Sequence, residues 1–213
     1  MRAQPESSTT QEVAGRSVRG SVRLVAARGQ SLAAGEIANA VAIFRPTTPF
    51  AAPRPGRFSI VTRGKRFLPT TLVVPVGSTV GFPNDDDVLH NAFSDSPGNR
   101  FDLGLYGEGE SADVVLGSPG VVMVFCNVHY GMYAAIVVVD TPFAARVDAE
   151  GGFRFDNVPD GQGVLEVWHP RAGVQRLDID AGSGRAAEVV LTIDRPLIPD
   201  HTRLDGSSYG PAR

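Results

Sequence analysis

Glycine and proline divide this chain into short apolar segments, and that pattern constrains the fold more than any other feature of the sequence. The 213 residues include 24 glycines and 16 prolines, which mark turns and end regular elements. The richest apolar runs between them, residues 121–125 and 134–139, have the length of strands. No convincing amphipathic pattern of three helical turns is present. The sequence therefore predicts an all-β protein.

Strand-like runs occur on both sides of these two. They are residues 17–26, 39–44, 71–82 (with a turn at 76–78), 112–116, 152–155, 164–169, 174–179 and 188–193. Residues 101–104 are instead predicted to form a packed loop. With 42% hydrophobic and 20% charged residues, the chain has the composition of an ordinary soluble globular protein.

The sequence shows no stretch that reads as a membrane span and no visible signal peptide. No run approaches the roughly 18 to 20 apolar residues that a bilayer span needs. Residues 1–15 are polar and lack the apolar core of a signal peptide, so they are predicted to be a flexible tail. Export is therefore a hypothesis at this point.

Two proline-rich joints suggest how the chain is organised. Residues 45–55 contain four prolines and are expected to be extended and unable to pair as a central strand, and Thr141-Pro142 ends the run at 134–139. The block between the joints is acidic, because residues 57–140 carry a charge of −4 whereas the remainder carries +1. A partner that docks there by charge would need a basic face, although such a balance more often indicates only a soluble surface.

The single cysteine, Cys126, excludes an internal disulfide framework. It is followed by His129 and Met132, in a loop between two apolar strands. Given four histidines and three methionines in the chain, chance would place both residue types at these spacings with a probability of roughly 0.0003. A thiolate, imidazoles and a weak thioether form a ligand set suited to copper, and His90 is well placed in the sequence to be the second imidazole.

The block from Phe67 to Asp140 resembles a small blue copper protein of the cupredoxin family. The spacing of Cys126, His129 and Met132 is similar to the short ligand loop of amicyanin. Residues 80–84 followed by 85–91 resemble the strand, turn and first histidine ligand of the family. Residues 107–111 with 119–121 resemble the segment that leads to the cysteine strand.

The resemblance implies a Greek-key β-sandwich that holds one copper ion through His90, Cys126, His129 and Met132. It also implies that Asn91 ties the histidine strand to the cysteine loop by hydrogen bonds. The edge of His129 is expected to reach the surface within an apolar rim, which would be the electron doorway and the partner contact. The rim residues are Val128, Tyr130 and Tyr133.

The flanks resemble, more weakly, a transthyretin-like β-sandwich of the carboxypeptidase-regulatory type. The similar segments are residues 18–24, 39–44, 147–155 and 157–161. The expected division is a tail at 1–15, a discontinuous sandwich of 16–52 and 141–195, a cupredoxin domain at 53–140 and a C-terminal tail at 196–213. The alternative is an N-terminal extension and a separate C-terminal domain.

The predicted function is that of a one-electron carrier with a redox partner protein, located in the periplasm or outside the cell. A copper-handling protein that stores or delivers the ion is the alternative, and Zn²⁺ would also suit the His and Cys ligands. An enzyme is not expected, since multicopper oxidases need more than four histidines and no general acid–base pair accompanies the site. Nucleic acid and small-molecule substrates are likewise not expected as partners.

The remaining polar candidates receive structural interpretations. His169 is predicted to be a half-buried structural histidine, and His201, in the polar tail, a solvated one. The acidic run at residues 85–87 is favoured as a solvated turn over a site for a hard cation or a basic partner.

Overall fold

Strands make up most of the computed structural model, which describes residues 15–210. The predicted flexible tail at 1–15 therefore lies, apart from its last residue, outside the described residues. The strands are β1 (Arg16–Ala26), β2 (Val41–Pro46), β3 (Arg57–Ser59), β4 (Val61–Thr62), β5 (Phe67–Leu68), β6 (Thr71–Pro75), β7 (Thr79–Pro83), β8 (His90–Ser94), β9 (Phe101–Tyr106), β10 (Ser111–Val115), β11 (Gly120–Phe125), β12 (Tyr133–Val139), β13 (Ala144–Arg146), β14 (Gly152–Val158), β15 (Gln162–His169), β16 (Gly173–Asp180) and β17 (Ala187–Ile193). Two short 3-10 helices span Glu36–Asn39 and Ala181–Ser183. The prediction of an all-β protein is confirmed.

Four sheets of three or more strands carry the fold. Their strand orders are β14-β1-β17, β13-β2-β15-β16, β6-β12-β11-β8-β9 and β10-β7-β3, and β4 pairs with β5 as a small ribbon. The first two sheets are built from strands before residue 47 and after residue 143, whereas the last two use only the strands between. The first two sheets enclose one apolar core, and the last two enclose another.

Strand alternation assigns side chains to the cores. On β2, Ala42 and Phe44 belong to the core shared with β1, β14, β15 and β17. On β12, Ala134, Ile136 and Val138 belong to the core shared with β7 and β11, which also contains Cys126 and Met132. Successive residues of a strand point to opposite faces of its sheet. The alternate residues of β2 and β12 therefore face away from these two cores.

A third core joins the two pairs of sheets. It contains Val41 and Ile43 of β2 and Trp168 of β15 on one side, and Ala135, Val137 and Val139 of β12 on the other. β2 and β12 are therefore buried on both faces, which explains why both read as nearly continuous apolar runs. The sheets pack as four layers.

A buried ion pair fixes the segments around β15. Arg171 Nη1 donates to Glu36 Oε1 over 2.6 Å, and both side chains are nearly inaccessible. His169 is fully buried, with its ring nitrogens 3.2 Å from the Glu36 carbonyl oxygen and 3.1 Å from the Arg171 amide nitrogen. The structural interpretation of His169 is thus correct, although the side chain is wholly rather than half buried. Arg171 Nε also donates to the carbonyl oxygen of Arg195, where the C-terminal segment begins.

Two local predictions were wrong. Residues 101–104 belong to strand β9, because the chain there pairs with β8 from His90↔Tyr106 to Ser94↔Phe101. Strand β2 also includes Arg45 and Pro46, which pair with β15, so the proline-rich stretch begins inside a sheet. Within residues 15–210, no helix has the length and apolar character needed to cross a membrane.

Candidate metal centre

Three strand ends bring the candidate ligands together. His90 is the first residue of β8, and Cys126 directly follows β11, which pairs with β8 at Phe125↔Phe93. Residues 126–132, called the ligand loop from here on, connect β11 to β12, whose antiparallel pairing ends at Phe125↔Tyr133. The loop is therefore closed by sheet pairing at its base, and Cys126 lies beside His90.

The donor atoms of His90, Cys126 and His129 all lie within 4.8 Å of one another. Cys126 Sγ is 4.0 Å from His90 Nδ1. A Zn²⁺-sized ion bound at about 2.0 Å from an imidazole nitrogen and about 2.3 Å from a thiolate sulfur needs those atoms no more than about 4.3 Å apart. His90, Cys126 and Met132 are fully buried and His129 is partly buried, so the donor atoms, which are close enough to hold a metal ion, lie in a largely water-poor environment.

Asp86 determines which nitrogen of His90 faces the cysteine. His90 Nε2 is 2.9 Å from Asp86 Oδ2, and the Gly64 and Lys65 amides donate to the same carboxylate over 2.6 and 2.8 Å. Burial alone would raise the pKa of Asp86, but these two amides and the His90 ring hold that pKa below its ordinary value. An ionised carboxylate only accepts, so His90 donates from Nε2, and Nδ1 is the nitrogen on the side of Cys126.

His129 offers a nitrogen without a partner. Its Nδ1 is buried and accepts or donates no hydrogen bond among the described residues, and a buried polar atom of this kind requires an explanation. Burial, together with the nearby charges of His90 and Lys65, lowers the pKa of His129. A neutral imidazole with a free nitrogen is the form that binds a metal. Met132 lies in the same apolar core as Cys126.

Asn91 and Asn127 connect the strand of His90 to the ligand loop. The Asn127 amide donates to Asn91 Oδ1 over 3.2 Å, while Asn91 Nδ2 donates to Asp102 Oδ1 and to the Gly104 carbonyl. Asn127 Oδ1 in turn accepts from the Leu204 amide over 2.9 Å. The connection therefore runs from β9 through both asparagines to the C-terminal segment.

The rim around His129 is only partly open. Val128 is 43% exposed and Tyr130 is 40% exposed, whereas Tyr133 is half-buried. The ring of Tyr130 is stacked on His201, with centroids 4.7 Å apart and planes 1° apart. His129 borders an open groove of about 1010 Å³ that is also lined by Lys65 and Tyr209.

One prediction about a polar residue near the site was wrong, and another is confirmed only in part. His201 is not solvated, because its ring lies between Tyr130 and Phe125, with 4.0 Å between the His201 and Phe125 centroids. The acidic run at 85–87 is not a solvated turn throughout, since Asp86 is bound to His90. Its neighbours Asp85 and Asp87 are exposed.

Sequence reasoning missed several residues that support the candidate ligands or their loop, among them Asp86 as a partner of His90, Asn127 within the loop, and His201, Arg203, Leu204 and Tyr209 of the C-terminal segment. An acidic residue four positions before a candidate histidine ligand was a usable signal for Asp86. The other contacts join residues up to 83 positions apart, and no local pattern indicates them.

Comparisons with known proteins give matches among solved structures. No protein-family profile matches the sequence, and no curated protein sequence matches it. A purple cupredoxin from Nitrosopumilus maritimus is 25% identical over 38% of this chain and 98% of its own, with a TM-score of 0.35. A reduced mutant of amicyanin is 19% identical over 46% of this chain and 98% of its own, with a TM-score of 0.38.

A copper-containing nitrite reductase from Thermus scotoductus SA-01 is 26% identical over 55% of this chain, with a TM-score of 0.38. This chain covers 28% of that enzyme. Every one of these TM-scores is below 0.5, so the function of this chain is inferred from the side chains of its site.

Proposed function

We propose that His90, Cys126, His129 and Met132 hold one copper ion and that the protein passes single electrons as a type 1 copper protein. The observation that carries this proposal is the convergence of two imidazoles and one thiol within 4.8 Å, with the buried Nδ1 of His129 left without a partner. Bound copper supplies one-electron chemistry, since the ion cycles between its +1 and +2 states.

The donor set favours copper over other metals. One soft thiolate with two imidazoles and a weak thioether is the ligand set of blue-copper electron-transfer sites. Zinc prefers four tetrahedral ligands, and structural zinc sites rarely use a thioether. Met132 is buried in the same apolar core as Cys126, which supports a role as the weak fourth donor.

The protein groups around the donors suit electron transfer better than catalysis. Four protein donors leave no open position for a substrate, in contrast to catalytic metal sites. Asp86 fixes the His90 ring, and Asn91 fixes the ligand loop relative to β8. A site held in this way rearranges little when an electron arrives. The periplasmic or extracellular location predicted from the family resemblance belongs to this proposal.

The visible spectrum of the protein loaded with Cu(II) tests the proposal. We expect an intense red-region absorption that bleaches with ascorbate and is lost in Cys126→Ala, because the band requires a thiolate on the metal. Met132→Leu should shift the band or the reduction potential, whereas the matched control Met123→Leu, on β11 outside this core, should change neither. A colourless protein with copper bound would exclude a type 1 site, and preferential retention of Zn²⁺ would assign a different metal.

A further inference from the structure

The C-terminal segment, residues 196–210, lies directly against the ligand loop. His201 occupies the space between Phe125, the last residue of β11, and Tyr130 of the loop, with interplanar angles of 14° and 1°. His201 Nδ1 lies 2.7 Å from the Pro199 carbonyl oxygen, to which it donates, and this bond orients the ring. The segment thus inserts a flat ring into the base of the loop.

Tyr209 reaches the backbone of the candidate ligand itself. Its hydroxyl donates to the Cys126 carbonyl over 2.8 Å, and its ring meets Tyr130 and His201 edge to face, with centroids 5.3 and 5.1 Å apart. Burial, with a contribution from Cys126, raises the pKa of Tyr209 to about 12. The hydroxyl therefore keeps its proton across the neutral range.

Two further contacts bind the segment to the residue after the cysteine. Arg203 Nε donates to the Asn127 carbonyl over 3.0 Å, and the Leu204 amide donates to Asn127 Oδ1 over 2.9 Å. Phe125, Cys126, Asn127 and Tyr130 are thus all contacted by a segment that follows them by some 70 to 80 positions. Two consecutive backbone carbonyls of the ligand loop, those of Cys126 and Asn127, therefore accept hydrogen bonds from the segment.

We propose that His201 and Tyr209 are positioning residues of the metal centre, which hold the ligand loop closed over Cys126. This inference rests on the proposed function. Cys126 is fully buried and is the first residue of the ligand loop, so a soluble reagent reaches its Sγ only when the loop or the core around it moves. The ring stack and the Tyr209 hydroxyl oppose that movement from the outside. The segment is therefore part of the site, although it supplies no ligand.

The rate at which a soluble alkylating reagent modifies Cys126 in the metal-free protein tests the proposal. A neutral hydrogen bond contributes about 0.5–1.5 kcal/mol, so Tyr209→Phe should speed alkylation by roughly twofold to tenfold. Ser208→Ala is the matched control, because Ser208 is exposed and its described hydrogen bond uses its carbonyl oxygen. It removes a hydroxyl from the adjacent position and should leave the rate unchanged.

A second pair of variants separates positioning from general destabilisation. His201→Ala should also speed alkylation, and His201→Phe, which restores a flat ring between Phe125 and Tyr130, should return the rate toward that of the natural chain. The midpoint of denaturant unfolding is measured for each variant. A rate increase in Tyr209→Phe and His201→Ala beyond what their midpoints account for supports the proposal. Alkylation at the natural rate in both variants would overturn it.

The copper-loaded protein gives an independent reading. Loss of copper to a Cu(I) chelator should be faster in Tyr209→Phe than in Ser208→Ala. Because alkylation needs no metal, it decides whether His201 and Tyr209 hold the loop, and the spectrum of the natural chain decides whether the site is a type 1 centre. Failure of one proposal is therefore distinguishable from failure of the other.

Discussion

Asp86 is the residue whose contacts most directly control a candidate ligand. Its carboxylate binds the His90 ring and two consecutive amides, those of Gly64 and Lys65. The two amides hold the Asp86 carboxylate in position by hydrogen bonds, and the carboxylate in turn holds the His90 ring. A histidine that binds a metal usually donates its other nitrogen to such a group, which fixes the ring and increases its basicity.

Asp86→Asn should weaken copper binding by about 10- to 100-fold, the effect usual for such partners of ligating histidines. The asparagine keeps the size of the side chain but replaces the charged carboxylate, which accepts a hydrogen bond from His90 Nε2, with a neutral amide. Copper affinity is measured by competition with a chelator of known affinity. Asp87→Asn removes the same charge one residue away, at an exposed position, and should leave the affinity unchanged. Equal affinities in the two variants would show that Asp86 does not support the ligand.

The ligand loop is the element in which sequence and structure agree most closely. Its ends are set by β11 and β12, which pair in register over six residues, and the sequence placed strand-like runs on both sides of it. Val128 is exposed near His129, whereas His201 of the C-terminal segment covers one face of Tyr130. The open part of the predicted rim is thus Val128 with the edge of the groove beside His129.

Val128→Glu should slow electron exchange with a redox partner while the visible spectrum stays the same, since the side chain is exposed and lies outside the donor set. A charge at an apolar contact costs desolvation, so an effect of about tenfold on the rate is expected. Stopped-flow mixing with a small protein oxidant measures it. Val115→Glu, on β10 and 64% exposed, adds the same charge elsewhere. Equal slowing by both variants would indicate a general charge effect and not a doorway at Val128.

Local patterns predict strands and the ligand loop, but not the contacts between distant elements. Residues 71–82 were predictable as two strands with a turn, because Val76-Gly77-Ser78 interrupts an otherwise apolar stretch of strand length. β9 was missed because it contains Asp102 and Gly104, two residue types that are uncommon in strands. Its pairing with β8 outweighs their low strand propensity. His201 and Tyr209 reach the site because the C-terminal segment folds back onto the ligand loop. No residue spacing in the sequence indicates this contact.

At the scale of the whole molecule, the site depends on packing between all four layers. β12 presents alternate residues to the core that contains Cys126 and to the core that contains Trp168. Arg171, in the turn after β15, holds the Arg195 carbonyl from which the C-terminal segment leaves toward the ligand loop. The flank (the strands before residue 47 and after residue 143) therefore shares a core with the centre (the strands between) and is also connected to the ligand loop through the C-terminal segment. The division into domains at residues 53 and 140 remains a prediction from the sequence.

The shared core predicts that flank and centre unfold together. Trp168 is the single tryptophan of the chain and lies in the core between the two pairs of sheets, so its fluorescence reports on that interface. The exposure of the Cys126 thiol reports on the centre. In increasing denaturant, both signals should change at the same midpoint. Ile43→Ala should lower the two midpoints equally, because removal of a buried isoleucine side chain costs about 2–5 kcal/mol.

Val190→Ala is the control for this experiment, since Val190 lies on β17 and is 43% exposed. It should shift neither midpoint appreciably, because surface substitutions usually change the free energy of unfolding by no more than about 0.5 kcal/mol. Two separate midpoints in the natural chain, with only the fluorescence midpoint lowered by Ile43→Ala, would show that the two pairs of sheets fold independently. A common midpoint would mean that damage to the flank also opens the metal centre, because β12 belongs to both cores.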